Sequence, residues 1–386
     1  MGAALGHNLR RLRDGKGLTQ AQLAEQAGLS RVAYVGIESG GANPRVSTLM
    51  QIAEVLGVRL DELLEPRQEL THVRFRARKR MTTREQLLSD VGRWLRDYRE
   101  LEELLDDRVE YGLGKVARAL AKKGAGRARA REAAERVRRE LDLGDGERIR
   151  DLCGLLEERA GLKLGQIRLA SDTFFGLAVG GEDGGPAVVV NTWDRISVER
   201  WIFTAAHELG HVLLHLGAFD TERSEENVDE EKEADQFASH LLMPDPVFWR
   251  EWQETSGLGL VDRVLKVKHI FDVSYRTVLY RLSESKTYGG AIWARFKAAY
   301  RDQVGETLLK ADEPERLGSE RFHASMVESR AADEPRRIGS EHFMEDRLRR
   351  LVRRAVDKEL ISLGRAAEIL GITHIEMRKL AASWVE

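Results

Sequence analysis

One cysteine, Cys153, stands among 386 residues. No intrachain disulfide can form, which excludes a disulfide-stapled scaffold and fits a reducing compartment. No run is long and apolar enough to span a membrane, and Met1 to His7 lacks the apolar core of a signal peptide. An excess of one charge is missing too. Lys and Arg number 62 and Asp and Glu 64, a net charge of -2, so the whole chain is not marked as a nucleic-acid binder. The expectation is a cytoplasmic protein with no membrane partner, long enough for two or three domains.

What is present is strong helical patterning. Residues 5–65 hold short amphipathic stretches: Leu5, Leu9 and Leu12, then Leu23, Ala24 and Ala27 entered through Thr19, then Leu49, Ile52, Ala53 and Leu56, and last Leu60, Leu63 and Leu64. Gly28, Gly40-Gly41 and Pro44 punctuate them. Residues 68–145 read as charged and helical, with Trp94, Leu95, Tyr98, Leu101 and Leu105 at helical spacing. Lys115 to Arg139 is strongly basic, either a solvated helix face or a phosphate-binding surface.

After about residue 146 the composition changes. A helix near 147–158 leads to strand-like runs at 166–169, 174–179 and 187–191, the last two joined by the hairpin-like Gly180 to Gly185. Helices follow. Residues 311–320 recur, slightly altered, at 332–341, two copies that read as a duplicated loop.

His207-Glu208-Leu209-Gly210-His211 carries the chemistry. Residues four apart share a helix face, so His207 and His211 can bind one metal, and Glu208 can reach its open position and handle water. The helix is expected from Ser197, a good N-cap, to Gly217, and it is apolar nearly all round. A metal would resolve the cost of burying two histidines there, and Gly210 would admit a close neighbour. His215 is a poor third ligand. It lies about 12 Å along the axis from His207, whereas two ligand atoms on one zinc sit no more than ~4 Å apart. Glu231 is preferred, with Asp235 four residues on to accept the second ring N–H of a ligand histidine. Glu233 competes but lacks an acidic partner at that spacing.

Phe203 to His211, then Glu231 to Ala238 and Leu241-Leu242-Met243-Pro244, resemble the ImmA/IrrE family of zinc metallopeptidases. Phe175-Gly176-Leu177, Val188 to Asn191, Phe271 to Tyr275 and Tyr280-Arg281-Leu282 extend the resemblance over roughly 146–285, and Ile361 to Ile372 fits the family's tail more loosely. The resemblance implies Zn2+ held by His207, His211 and Glu231, and Glu208 passing a proton from water to the leaving amine. It further implies site-specific cleavage of a repressor, switched on by a DNA-derived signal such as single-stranded DNA, in a DNA-damage, mobile-element or anti-phage operon. Strand 187–191 is a candidate edge for holding substrate by β-augmentation. Tyr275, Tyr280 and Arg281 are unranked oxyanion stabilisers.

Thr19 to Ala24, Gly28-Leu29-Ser30, Ile37 to Gly40, Pro44 and Leu49 resemble the phage-repressor-like (XRE) helix-turn-helix. By that resemblance Gln20 opens the first helix of the motif, and Arg31, Val32 and Val35 face a major groove. Arg10 and Glu38 are expected to pair structurally. Residues 1–65 are charge-neutral, and Tyr34 stands where a smaller aliphatic residue is usual, so recognition of a partner such as the substrate repressor competes with DNA contact.

The expected fold is multidomain and mainly α. An all-α helix-turn-helix domain (1–67) and a charged helical linker region (68–145) precede an α+β gluzincin-like peptidase domain with a small β-sheet (146–285) and a helical C-terminal region (286–386). Cys153 is read as a packing residue on an apolar helix, against the alternative of a thiolate at zinc's open position. The second functional reading is a non-enzymatic operator-binding regulator whose zinc domain senses or scaffolds.

Overall fold

The computed structural model describes residues 2–64, 70–77, 84–144, 146–171, 173–215, 227–309, 313–314 and 338–384. Most of the 311–320 and 332–341 repeat, and Gly217, lie outside them. The chain forms two compact units: Met1–Thr71 with Lys79–Glu100, and His72–Arg78 with Leu101–Glu386.

The first unit packs α1 (Gly2–Gly15), α2 (Gln20–Gln26), α3 (Arg31–Glu38), α4 (Val46–Leu56) and α5 (Leu60–Leu64) around Leu9, Leu23, Tyr34, Ile52 and Leu63. Thr19 caps α2 in a reciprocal box with Gln22, and Ser30 caps α3. Between them Gly28 adopts φ +69°, open to glycine at no steric cost, and the Leu29 N–H returns to the Ala24 carbonyl at 2.8 Å. Glu38 pairs with Arg13, not with the expected Arg10, at 2.9 Å to both Nε and Nη2. At 100° per residue Arg13 sits about 70° from the centre of the Leu5–Leu9–Leu12 stripe and Arg10 about 130°. Arg10 therefore points to solvent, where it meets Asp14 at 3.9 Å.

In the second unit four strands form one sheet: β1 (Val73–Ala77), β2 (Lys163–Ile167), β3 (Phe174–Val179) and β4 (Ala187–Asn191), in the order β1-β3-β4-β2. β1 and β4 run antiparallel to β3, and β2 parallel to β4. The strand expected as an edge, 187–191, is therefore interior and has no free side for a substrate; among the described residues β1 and β2 are the edges. The expected linker region divides as well. Helix α6 (Arg84–Leu104) begins in the first unit, while β1, α7 (Gly114–Leu120) and α8 (Arg127–Glu140) belong to the second. Ala130, Ala133, Ala134 and Val137 make α8 amphipathic and bury it in the peptidase-side core.

The helix expected near 147–158 is a short α9 (Leu152–Gly154) continued by a π-helical turn, Leu155–Arg159. Cys153 is fully buried there, and burial pushes its thiol well above the usual range, which leaves it a neutral packing group. α10 (Val198–Leu214) packs on β3 and β4, α11 (Val228–Leu242) on α10, and α8 on α11. Then come α12 (Asp245–Glu254), α13 (Leu260–Ile270), α14 (Tyr275–Ser283) and α15 (Ala291–Val304), and finally α16 (Arg347–Asp357), α17 (Leu363–Leu370) and α18 (His374–Ala382). No helix among the described residues is long and apolar enough to cross a membrane.

Candidate functional site

α10 is buried along nearly its whole length, and its histidines and Glu208 are fully enclosed. Two glycines make this possible. A Cβ on Gly210 would meet the Phe237 ring at 2.9 Å and the Ala234 Cα at 3.3 Å, so its absence lets α11 close on α10. A Cβ on Gly176 would meet Thr204 at 2.7 Å and the Glu208 Cγ at 3.3 Å, so β3 lies directly over Glu208.

That closure brings His207, His211 and Glu231 together, with one ligand atom from each lying within 4.8 Å of the others. The two Nε2 atoms are 2.9 Å apart. Glu231 places Oε2 3.3 Å from the Nε2 of His207 and Oε1 3.2 Å from that of His211. Two zinc–nitrogen bonds at a tetrahedral angle separate their nitrogens by about 3.4 Å, so the set fits a metal ion within a few tenths of an ångström.

The surrounding hydrogen bonds assign the tautomers. His207 Nδ1 donates to Asp235 Oδ1 at 2.8 Å, which leaves its Nε2 as a lone pair. His211 Nδ1 lies 2.9 Å from His215 Nδ1, and His215 Nε2 lies 3.1 Å from Glu233 Oε2. Glu233 is saturated by Arg129, at 2.7 and 2.6 Å, and by the Gly126 N–H at 3.0 Å. Proton order therefore runs from His211 to His215 to Glu233, and the Nε2 of His211 is also a lone pair. Two lone pairs facing each other beside a carboxylate favour a cation between them. Burial drives the His211 imidazole well below its usual range and keeps it neutral.

Residue by residue, Asp235 stands against His207. Glu233, the competing ligand, faces away into the Arg129 pair. His215 is not just a polar residue near the helix end; it supports His211. In the basic segment 115–139, Arg129 binds Glu233, Arg138 the carbonyls of Leu241, Gly144 and Glu147, and Arg136 Glu132, while Lys115, Arg118, Lys122 and Arg127 stand exposed. Of the oxyanion candidates, Arg281 is held by Asp245, Glu284 and the Met243 carbonyl, and Tyr275 stacks on Phe296 in the core. Tyr280 is half-buried, its hydroxyl shifted up by burial and by nearby charges that include Asp235. Arg74 of β1 was missed in the sequence: its Nη2 donates to Glu231 Oε1 at 3.1 Å, and it also binds Glu230. The alternation His72-Val73-Arg74-Phe75-Arg76-Ala77 is the signal that could have found it, hidden beside a charged run.

On α3, Arg31 is exposed, Val32 is 83% exposed and Val35 is half-buried. Gln20 is turned inward, donating to Glu38 at 2.8 Å. Burial raises Glu38, yet Arg13, Tyr34 and Gln20 together hold it down at about 2. Tyr34 is thus the buried neighbour of an ion pair.

A helix-turn-helix family model matches residues 9–63, and a peptidase model described as the IrrE N-terminal-like domain matches 162–283. The chain belongs to the helix-turn-helix transcriptional regulators through its first domain and carries an ImmA/IrrE-type metallopeptidase domain as its second. The relatives that follow align over 60 to 65 residues, about 16–17% of this chain. An uncharacterized HTH-type regulator, y4dJ of Sinorhizobium fredii, is 42% identical over 65 residues, 17% of this chain and 84% of that protein. The HTH-type transcriptional activator BcrR of Enterococcus faecalis is 44% identical over 63 residues, 16% of this chain and 31% of its own length. The immunity repressor protein of Bacillus phage phi105 is 38% identical over 60 residues, 16% and 42% respectively. A solved structure of PlcR of Bacillus thuringiensis with a peptide and DNA aligns at 12% identity and TM-score 0.17 over 100% of this chain and 99% of that one, too low to imply a shared fold.

Proposed function

We propose that this protein is a zinc-dependent endopeptidase that cuts a transcriptional repressor at one site and so derepresses a stress, mobile-element or defence operon. The observation that carries the reading is the convergence of His207, His211 and Glu231 beside the buried Glu208. Imidazole and carboxylate ligands in this number suit zinc and leave one position open. Bound there, zinc would supply the Lewis acidity that makes water a nucleophile at neutral pH. Glu208 takes the water's proton and returns it to the leaving amine. Asp235 and His215 keep both imidazoles aimed, and Arg74 orients Glu231. Of the three candidates Tyr280 is the one we assign to donate to the developing oxyanion, since Arg281 is held in ion pairs and Tyr275 stacks in the core. The helix-turn-helix domain recognises operator DNA or the similarly folded repressor, and single-stranded DNA is the proposed signal.

The test incubates wild type and Glu208→Gln with candidate helix-turn-helix repressors encoded nearby, with zinc, with and without single-stranded DNA. One discrete cut by wild type and none by the variant is expected. Absence of any cut, together with tight operator binding, would favour the regulator whose zinc domain only senses.

A further inference from the structure

The last three helices repeat the first three. Sliding the N-terminal sequence along the chain by the step that carries Gly28 onto Gly371 lays α1 on α16, α2 on α17 and α3 on α18 with no gap. Core residues coincide: Leu5 with Leu348, Leu9 with Val352, Ala24 with Ala367, Tyr34 with Met377, all buried. Caps coincide as well. Thr19 accepts from the Gln22 N–H at 3.2 Å and Ser362 from Arg365 at 3.1 Å; Ser30 accepts from Ala33 and Thr373 from Glu376, both at 3.2 Å. Gly28 and Gly371 have φ of +69° and +64°. The turn closes through Leu29 N–H to Ala24 at 2.8 Å and Ile372 N–H to Ala367 at 3.0 Å. Matching caps, turn and core across three helices define a helix-turn-helix.

The turn alone would not imply binding. α13 and α14 share it: Asp272 has φ +52°, and the Val273 N–H returns to Lys268 at 3.1 Å. There the positions equivalent to Arg31 and Val35 are Tyr275 and Leu279, both buried, so that pair is scaffold. On α18 the equivalents of Arg31, Val32 and Val35 are His374, Ile375 and Arg378, all exposed, and Ile375 is 68% exposed as Val32 is 83%. Charge differs from the first domain as well. Residues 1–65 balance seven basic against seven acidic side chains, whereas 347–384 carry nine against four. Arg347, Arg350 and Arg354 anchor α16 to Glu102, Glu158 and Asp107. Arg378 and Lys379 stand exposed on the outer helix.

We propose that residues 347–382 form a second DNA-reading head, with α18 entering the major groove of double-stranded DNA. Ile375 meets thymine methyl groups, Arg378 reads a base edge, and Lys379 contacts a phosphate.

The experiment selects bound duplexes from a pool of random 30-base-pair double-stranded DNA, using the full-length chain with its N-terminal reading face disabled (Arg31→Glu with Val32→Asp). Fluorescence anisotropy then measures affinity for the selected duplex. Measurable binding is expected. Adding Ile375→Asp with Arg378→Glu should weaken it about 10- to 100-fold, while Lys379→Ala should lower the salt dependence by about one counterion. All five positions are exposed, and unchanged circular dichroism and melting temperature confirm folding. The proposal is overturned if the N-terminal variant selects no duplex, if the α18 substitutions leave affinity unchanged, or if that helix captures a repressor protein but no DNA.

Discussion

His215→Leu tests the proton order around the candidate metal centre. His215 lies 2.9 Å from His211 Nδ1 and is 6% exposed, and His211 is fully buried, so no solvent replaces the lost acceptor. An unsatisfied buried donor costs about 1–3 kcal/mol. Loss of a group that orients a metal ligand weakens binding about 10- to 100-fold, or roughly 1.4–2.7 kcal/mol. The two routes agree, and the zinc Kd is expected to rise about 30-fold. Competition against a chromophoric chelator at neutral pH measures it, with melting of the metal-free protein as the control for folding. Asp235→Asn should cost less, at most about tenfold, because the Asp235 side chain is 41% exposed and water can stand in. A folded His215→Leu protein with the wild-type zinc Kd would refute the His211–His215–Glu233 order.

Glu231→Gln should abolish stoichiometric zinc by elemental analysis, whereas Glu233→Gln should retain zinc but destabilise the fold by about 3–5 kcal/mol, because Arg129 is left buried and unpaired. Arg13→Ala should lower stability by roughly 2–4 kcal/mol in urea titration and Arg10→Ala by less than about 0.5, the reverse of what the sequence suggested. Burial pushes Glu157 up to about 7, although the N–H groups of Asp346 and Arg347 pull the other way. A raised carboxyl contributes stability below its unfolded value of 4.5 and loses it as pH rises through 7. Stability should thus fall between pH 5 and 8 by about 2.5 kcal/mol more in wild type than in Glu157→Gln. Gly210→Ala should cost about 1–3 kcal/mol through the Phe237 clash, read as a lower melting temperature.

The parts legible in the sequence were those set by short-range geometry. A spacing of four on one helix aligns His207 with His211 whatever surrounds them, and the same spacing links Glu231 to Asp235. Caps and glycines marked the helix-turn-helix because N-cap and left-handed positions accept few residue types. The failures were contacts made across space. Arg74 reaches Glu231 only because five residues near the start of the second unit join β3, and a strand that short beside a charged run looks like more helix.

Sequence alone determined which residues could hold a metal ion and which cap the helices, since ligand spacing and capping are local properties of residue type and interval. Only the tertiary structure decided their relations. It turned Glu233 from rival ligand to anchor of His215, gave Glu38 to Arg13, moved strand 187–191 from the edge to the interior, and spent Arg129 and Arg138 of the basic segment on buried partners. These choices depend on which helix face meets which neighbour, and burial then makes every unpaired charge costly enough to fix its partner.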